Sequence, residues 1–211
     1  IELEQVPEAK GAPSNSISIT DAPYSAVPND GQDDSQVFLD ALKDADAENK
    51  TLYIPEGTFD FDQKLVLSAT DMRITGAGIW YTRLHFTSEE QAGGGIEFLD
   101  SSSNVEMDNL YMDSELKSRF HQEANYKGIA GVLGENSKLH DLWLEHFECG
   151  IWVGDYVEAD KMKYTDKLIV SNSRIRNNFA DGVNFAQGTK NSKVQNSDIR
   201  GNGDDGLATF A

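Results

Sequence analysis

Residues 170–175 read VSNSRI and residues 194–199 read VQNSDI, so one six-residue form recurs after 24 residues. In both segments an apolar residue opens and closes the six positions, and an asparagine stands third. Asparagine tolerates the left-handed backbone conformation that bends a chain between two short strands. Each segment therefore predicts a strand, a bend and a second strand that return apolar side chains to one side.

The same form occurs earlier in the chain, with asparagine or aspartate third. It reads MDNLYM at 107–112 and LHDLWL at 139–144, and a weaker copy reads ITGAGI at 74–79. A coil of about 22 to 32 residues that buries its apolar face only against neighbouring coils is typical of a parallel β-solenoid. A β-sandwich with coincidental asparagine turns is the alternative. A leucine-rich repeat fits less well, because its ladder of leucines and asparagines is missing.

The residues before the first coils predict a linker and a capping helix. Residues 1–16 show no sustained hydrophobic periodicity and are interpreted as a linker or an entry segment before the domain. The compact domain is placed at 17–211. Asp33 or Asp34 can accept backbone N–H bonds at the start of a short helix. Short β-rich stretches follow at 65–67, 72–75, 82–86 and 95–99. The expected fold is thus an all-β solenoid with one N-terminal capping helix.

Composition limits the partners. The 211 residues contain 18 Lys and Arg against 36 Asp and Glu, which gives a formal net charge of −18. Such a surface repels phosphate backbones and anionic lipids, so nucleic acid and membrane-surface binding are excluded, and neutral or cationic partners remain. The lone Cys149 excludes an intrachain disulfide and is expected to be a buried, inert thiol.

The two ends of the chain carry further expectations. The amino end lacks the basic and apolar segments of a signal peptide, so secretion has to be argued from fold and substrate. The last residues bring no polar cap, which a solenoid needs over its final coil. We therefore expect the domain to be truncated at its C-terminal end.

Three carboxylates lie in the last two predicted coils. Aligning the two opening segments places Asp181 and Asp205 at equivalent positions, with Asp204 displaced by one residue. At a strand spacing of about 4.8 Å the first two would stack one above the other, although like charges repel. They could serve as turn residues, as oxygen ligands of a calcium ion, or as the acid and base of a glycoside hydrolase.

Two segments resemble known families. The segment DGQDDSQVFLDALKDADAENKTLYIPEGTF at 30–59 is similar to the amino-terminal part of the pectate-lyase-like right-handed parallel β-helix superfamily. The segments ADGVNF at 180–185 and GNGDDGLATFA at 201–211 resemble glycoside hydrolase family 87, the α-1,3-glucanases and mycodextranases. Polygalacturonases have similar sites. The resemblance implies a right-handed β-helix that cleaves polysaccharide with inversion, with Asp181, Asp204 and Asp205 as its catalytic residues.

The roles that follow are specific. Asp181 and Asp205 can share the attacking water, which leaves Asp204 as the general acid. The acidic composition disfavours a polyanionic substrate and so favours a neutral glucan. The resemblance to family 87 implies that the bonds cleaved, in endo fashion, are α-1,3 bonds of an α-glucan. The alternatives are a polygalacturonase-like or lyase-like activity on acidic polysaccharide, and a non-catalytic carbohydrate-binding solenoid.

Sugar rings are held by aromatic stacking and by planar hydrogen bonds, which selects residues near the aspartates. The predicted substrate-binding residues are Trp152, Tyr156, Phe179 and Asn202. We expect no required cofactor and no catalytic metal, while the acidic cluster would accommodate a structural calcium ion. We further expect a secreted monomer.

Overall fold

A computed structural model of the protein describes residues 5–89, 93–119 and 126–210. The elements follow in chain order: β1 (Ser16–Ser18), α1 (Ser35–Ala47), β2 (Thr51–Ile54), β3 (Gly57–Phe61), β4 (Leu65–Leu67), β5 (Arg73–Gly76), β6 (Thr82–Phe86), β7 (Ile96–Phe98), β8 (Glu106–Ser114), β9 (Lys127–Gly131), β10 (Lys138–Leu144), β11 (Cys149–Val153), β12 (Thr165–Asp166), β13 (Ile169–Ser171), β14 (Arg174–Arg176), β15 (Val183–Phe185), β16 (Thr189–Lys190), β17 (Lys193–Gln195), β18 (Asp198–Arg200) and β19 (Leu207–Thr209).

The strands stack in parallel as successive coils. One sheet runs β1-β2-β5-β8-β10-β13-β17 and carries β3, β6, β14 and β18 beside that path, and a second runs β19-β15-β11-β9-β7-β4. The long strands β8 and β10 each span both parts of the first sheet. Every inter-strand pairing among the described residues is parallel, which confirms the predicted parallel β-helix.

The predicted six-residue form sets the register of these coils. Its opening residues pair in one column and its closing residues in another, and both columns line the core: Ile74, Met107, Leu139, Val170 and Val194; then Met112, Leu144, Ile175 and Ile199. The third residue is left-handed in every strong copy, with φ between 50° and 60° at Asn109, Asp141, Asn172 and Asn196. The weak copy departs at its end, because Leu84 rather than Ile79 pairs with Met112.

The helix α1 covers the N-terminal end of the solenoid, as predicted. It buries Phe38, Ala41, Leu42 and Ala45 and packs on β1, β2 and β4. Of the two predicted capping residues, Asp33 makes the capping bond. Its Oδ1 atom accepts a hydrogen bond from the Ser35 amide at 3.0 Å, while the Asp34 side chain makes no capping bond. Burying the Phe38 side chain alone stabilises this contact by about 1.5–3 kcal/mol.

The segment before β1 lies along the outside of the coils. The Lys10 amide donates to the Ala77 carbonyl at 2.8 Å, and the Tyr81 hydroxyl donates to the Pro7 carbonyl at 2.7 Å. Within the described ranges, no helix has the length and apolar character needed to cross a bilayer.

Candidate active site

The predicted aspartates meet at one corner of the solenoid, where the chain turns from the first sheet into the second. Asp181 lies just before β15, and Asp204 and Asp205 lie just before β19. Val183 pairs with Leu207 in these two strands, so Asp181 and Asp205 occupy the same position in adjacent coils. The structure therefore brings together the three residues that the sequence singles out.

Hydrogen bonds hold the buried member of this cluster. Asp181 is only 8% exposed, and its two carboxylate oxygens accept bonds from the Asp205 amide at 3.2 Å and the Asn184 Nδ2 at 2.8 Å. One oxygen from each of the three aspartates lies within 4.8 Å of the others.

The adjacent pair is more exposed. The Asp204 side chain is 54% exposed, and its Oδ2 accepts a bond of 3.0 Å from Arg119 Nη1. Arg119 belongs to the long connection between β8 and β9. A guanidinium thus lies against a cluster of three carboxylates and supplies a positive charge there.

Glycines let the two aspartate-bearing coils approach closely. A Cβ atom on Gly182 would lie 2.6 Å from the Gly206 carbonyl oxygen, and one on Gly203 would lie 2.3 Å from the Phe179 carbonyl oxygen. Gly182 and Gly206 are absent from the residues with positive φ in the described chain. These Asp-Gly pairs are therefore not left-handed turns. The space between coils requires glycine at 182 and 203, whereas a Cβ atom on Gly206 would approach no atom closer than 3.6 Å.

The column that contains Asp181 continues into the earlier coils. Gly150 donates its amide to the Asp181 carbonyl at 3.1 Å, and the register of β11 with β15 places Cys149 under Asp181. Cys149 is fully buried, and burial followed by the nearby Glu148 charge raises the pKa of its thiol well above the ordinary value. The thiol is therefore the inert group that the sequence predicts. Glu148 itself is buried in an ion pair with Lys127.

A pocket of about 390 Å³ opens on the outer face of the second sheet, beside this column. Trp152 and Tyr156 line it together, and the Trp152 indole N–H donates to the Tyr156 hydroxyl. The Lys127 ammonium lies 4.5 Å from the centre of the Trp152 ring. Trp152 pairs in register with Asn184, the residue that holds Asp181. Two of the four predicted substrate-binding residues thus lie on the same outer face as Asn184.

The other two predicted binding residues lie at the corner itself. Phe179 is half-buried against the core. The Asn202 Oδ1 atom accepts bonds from the Asn178 amide at 3.1 Å and the Asn178 Nδ2 at 3.0 Å, and its Nδ2 donates to the Ile175 carbonyl at 3.3 Å. Asn202 therefore joins two neighbouring coils through a ladder of amide hydrogen bonds with Asn178.

Comparison with known families identifies the kind of domain in which these three aspartates lie. A family model described as the α-1,3-glucanase catalytic domain D2 matches residues 34–211. The chain belongs to this family. The predicted resemblance to glycoside hydrolases of the α-1,3-glucanase type is thereby confirmed.

Solved structures agree with this family of α-1,3-glucanase catalytic domains. The Agl-KA catalytic domain is 47% identical with a TM-score of 0.92, and the catalytic unit of a GH87 α-1,3-glucanase from Streptomyces thermodiastaticus is 29% identical with a TM-score of 0.83. A GH87 catalytic domain in complex with nigerose is 23% identical with a TM-score of 0.72. A search of curated proteins gives no match.

The chain spans about a third of the length of these relatives. The comparisons cover 99% of this chain, but 36%, 35% and 34% of the respective solved chains. The α-1,3-glucanase fold is thus shared along the whole chain.

Two residues of this α-1,3-glucanase domain site escape sequence reasoning. Arg119 lies 85 residues before its partner Asp204, and nothing in the local pattern links the two. Asn184 follows Asp181 by three residues, so its outward position could be found from strand alternation next to Val183.

Proposed function

We propose that the protein hydrolyses α-1,3-glucosidic bonds within a neutral α-glucan, with inversion at the anomeric carbon. The single observation that carries this proposal is the triple carboxylate at the coil corner, with Asp181 buried and doubly hydrogen-bonded, in a member of the α-1,3-glucanase catalytic domain family. Glycoside hydrolysis needs one group that donates a proton to the leaving oxygen and another that activates water.

The hydrogen bonds and exposure of the three aspartates suggest which is the base and which is the acid. Two hydrogen bonds fix the position of the Asp181 carboxylate, so it can hold a water in place and act as the base. Asp205 stacks on it and can share that water. Asp204, offset by one residue and more exposed, is the general acid in this scheme. Its contact with Arg119 must then loosen when the leaving oxygen approaches, because an acid needs its proton.

The spacing of the aspartates supports the choice of these three residues as one catalytic set. Three solved variants of a GH87 α-1,3-glucanase each replace one aspartate by alanine, and the second and third of those aspartates are adjacent and follow the first by 23 and 24 residues. Asp205 here follows Asp181 by 24 residues, with Asp204 immediately before it. Those complexes contain nigerose or tetrasaccharides.

Inversion at the anomeric carbon is a separately testable part of the proposal. The carboxyl groups of most inverting glycosidases lie about 6.5–9.5 Å apart. Here one oxygen of each aspartate lies within 4.8 Å of the others. This distance is nearer to the roughly 5–5.5 Å that is usual in retaining enzymes, so the proposed inversion rests on the family resemblance and on a water held by the Asp181–Asp205 pair. Proton NMR of the first products must show the β-anomer; an initial α-anomer would contradict inversion.

The substrate class follows from charge and from the aromatic pocket. A net charge of −18 repels a polyanion such as polygalacturonate, whereas a neutral glucan can stack on the Trp152–Tyr156 pair. The decisive assay compares release of reducing ends from α-1,3-glucan and from polygalacturonate by the complete protein. We expect early products of mixed chain length from the glucan only. Equal or greater release from polygalacturonate would overturn the substrate assignment.

We propose that the reaction needs no cofactor. The three aspartates offer oxygen ligands of the type that calcium takes, but Arg119 already contacts one of them. Dialysis against EDTA is therefore expected to leave turnover unchanged. Loss of activity that calcium restores would assign the cluster to a cation instead. A polysaccharide is too large to enter a cell intact, so we further propose a secreted enzyme, and we propose that it is a monomer. A size-exclusion measurement of the protein from culture medium would test both.

A further inference from the structure

A five-residue insertion distinguishes the second coil from those that follow. In the strong copies of the six-residue form the closing residue follows the opening one by five positions, but Leu84 follows Ile74 by ten. The extra residues form a loop that carries Trp80 and Tyr81 on the outside of the solenoid. Trp80 is 39% exposed, so part of a large aromatic ring faces solvent.

The loop is held rigidly. The carbonyl of Gly78, at a φ of 134°, accepts the amides of Tyr81 and Thr82 at 2.9 Å each, and the Gly78 amide donates to the Asn109 carbonyl at 3.0 Å. The Tyr81 carbonyl accepts the Gly57 amide at 2.9 Å. A surface fixed before binding loses little conformational entropy on binding, so this loop is preorganised.

The loop bounds a cavity of about 510 Å³. Three aromatic rings line it, from Trp80, Tyr81 and Tyr111, and so do the polar side chains of Asn29, Glu56 and Arg83. Cavities of about 300–1,000 Å³ with aromatic walls and a few placed polar groups are typical small-molecule sites. This volume and lining suit a sugar ring, which offers an apolar face and a rim of hydroxyls.

Buried carboxylates fix the polar groups of this cavity. Arg83 donates to both oxygens of Asp113, at 2.9 and 2.6 Å, and the Tyr111 hydroxyl donates to Glu145 at 2.8 Å. Burial alone would raise the pKa of Asp113, but hydrogen bonds from His85 and Arg83 lower it, so the carboxylate stays charged. The charge of Arg83 is thereby neutralised. Glu56 is the other charged residue that lines the cavity, and its carboxylate disfavours an anionic ligand but can accept hydrogen bonds from sugar hydroxyls.

Packing behind Trp80 also keeps its ring in place. Trp143 meets it edge-on, with ring centres 5.3 Å apart at 84°. The Arg174 guanidinium lies 4.9 Å from the centre of the Trp80 ring. Trp143 and Arg174 therefore hold the Trp80 ring in place, while more than a third of its side chain remains exposed.

We propose that this cavity is a second binding site for hexose units of a neutral glucan, separate from the aspartate corner. The nature of the glucan rests on the proposed function. The cavity lies on the first three coils and Asp181 on the fifth, so with Arg83 in the second coil the two are about 14 Å apart along the axis. The site holds insoluble polysaccharide against the protein and takes no part in bond cleavage.

Binding is tested in the complete protein with Asp204→Asn added, so that the glucan survives the measurement. Trp80→Ala is expected to weaken partition onto insoluble α-1,3-glucan about threefold to tenfold, while Trp80→Phe retains most of it. Leu99→Ala, which removes another exposed apolar side chain, is the matched control and should bind like the parent. Glu56→Ala alters an exposed lining residue without touching the core, and should weaken binding as well.

Hydrolysis separates this proposal from the function it rests on. With the aspartates intact, Trp80→Ala should cleave a soluble α-1,3-linked tetrasaccharide with unchanged kcat/KM. Unaltered partition of both Trp80→Ala and Glu56→Ala would overturn the second site. An equal loss on the tetrasaccharide would overturn its separation from the active site. Failure of the parent protein to cleave any α-glucan would instead refute the proposed function, and partition would still report on the cavity.

Discussion

The backbone amide of Asp205 donates a hydrogen bond of 3.2 Å to a side-chain oxygen of Asp181, one coil earlier. The register between two neighbouring coils therefore sets the distance between the proposed catalytic groups. The close glycine contact at 182 and 206 and the Asn178–Asn202 ladder bonds act on the same two coils. The packing of these two coils thus determines the geometry of the site.

The first prediction concerns the aspartates themselves. Replacing Asp181, Asp204 or Asp205 by Asn, one at a time, should lower kcat on α-1,3-glucan by roughly 10²- to 10⁴-fold, the usual contribution of a general acid or base. Each variant keeps the side-chain shape, so thermal melting should change little. Asp198→Asn is the control, because Asp198 is exposed and its ion pair is with Arg200 at 3.3 Å, away from the corner. Near-normal turnover in all three variants would refute the assignment.

The second prediction concerns Asn184, which holds Asp181. Asn184→Ala removes a hydrogen bond to a charged group, worth about 1.5–3 kcal/mol, and should lower kcat roughly 10- to 100-fold with little change in KM. Asn184→Asp should be worse, because it sets a second carboxylate at the atom that lies 2.8 Å from Asp181.

A surface amide supplies the comparison for Asn184. Asn191→Ala breaks a 2.8 Å bond to Asp166 on the exposed side of the solenoid and should leave steady-state kinetics unchanged. Full activity of Asn184→Asp would show that this side chain does not position Asp181. The Asn184 Oδ1 atom is buried with no hydrogen-bond partner among the described residues, so its presence costs stability and is not explained by packing alone.

The third prediction concerns the glycine between the two coils. A methyl group at residue 182 would lie 2.6 Å from both the Gly206 carbonyl oxygen and the Ile199 side chain. Gly182→Ala should therefore destabilise the protein by about 1–3 kcal/mol and reduce kcat, because the coils must separate. Chemical denaturation and steady-state kinetics measure both effects. Gly11→Ala meets nothing within 4 Å and should be silent; a silent Gly182→Ala would contradict the close approach of the coils that carry Asp181 and Asp205.

The fourth prediction concerns pH and the capping helix. Burial, followed by the charges of Asp30 and its neighbours, raises the pKa of Asp34 from 3.8 to about 6. A raised folded-state pKa means that protonation stabilises the fold at low pH and that this contribution is lost as pH rises through about 6. Asp34→Asn should therefore raise stability at pH 8 by roughly 2–3 kcal/mol and have little effect near pH 4.

Thermal melting across that pH range tests the Asp34 prediction. Gln36→Ala changes an exposed side chain of the same helix without removing a titratable group, and is the control. A stabilisation by Asp34→Asn that is equal at pH 4 and pH 8 would rule out titration of Asp34 as its cause.

Some of the site was predictable from sequence because the coils repeat. Asp181 and Asp205 could be paired by aligning two segments without a gap, and the structure pairs them in the same register. A substrate contact by Asn202 stays a prediction. Its position beside Asp204 predicts a substrate contact, yet three hydrogen bonds tie its amide to the neighbouring coil.

Local sequence is enough to define the coil: where it bends, which side chains enter the core and which aspartates stack. These features follow from short-range rules, since alternation along a strand and the left-handed tolerance of asparagine act over a few residues. The surroundings of the aspartates come from tertiary contacts instead. Arg119 reaches Asp204 across 85 residues, and the Trp80 loop meets Trp143 two coils further on. Such contacts depend on how coils and insertions fold over one another, which no local pattern encodes.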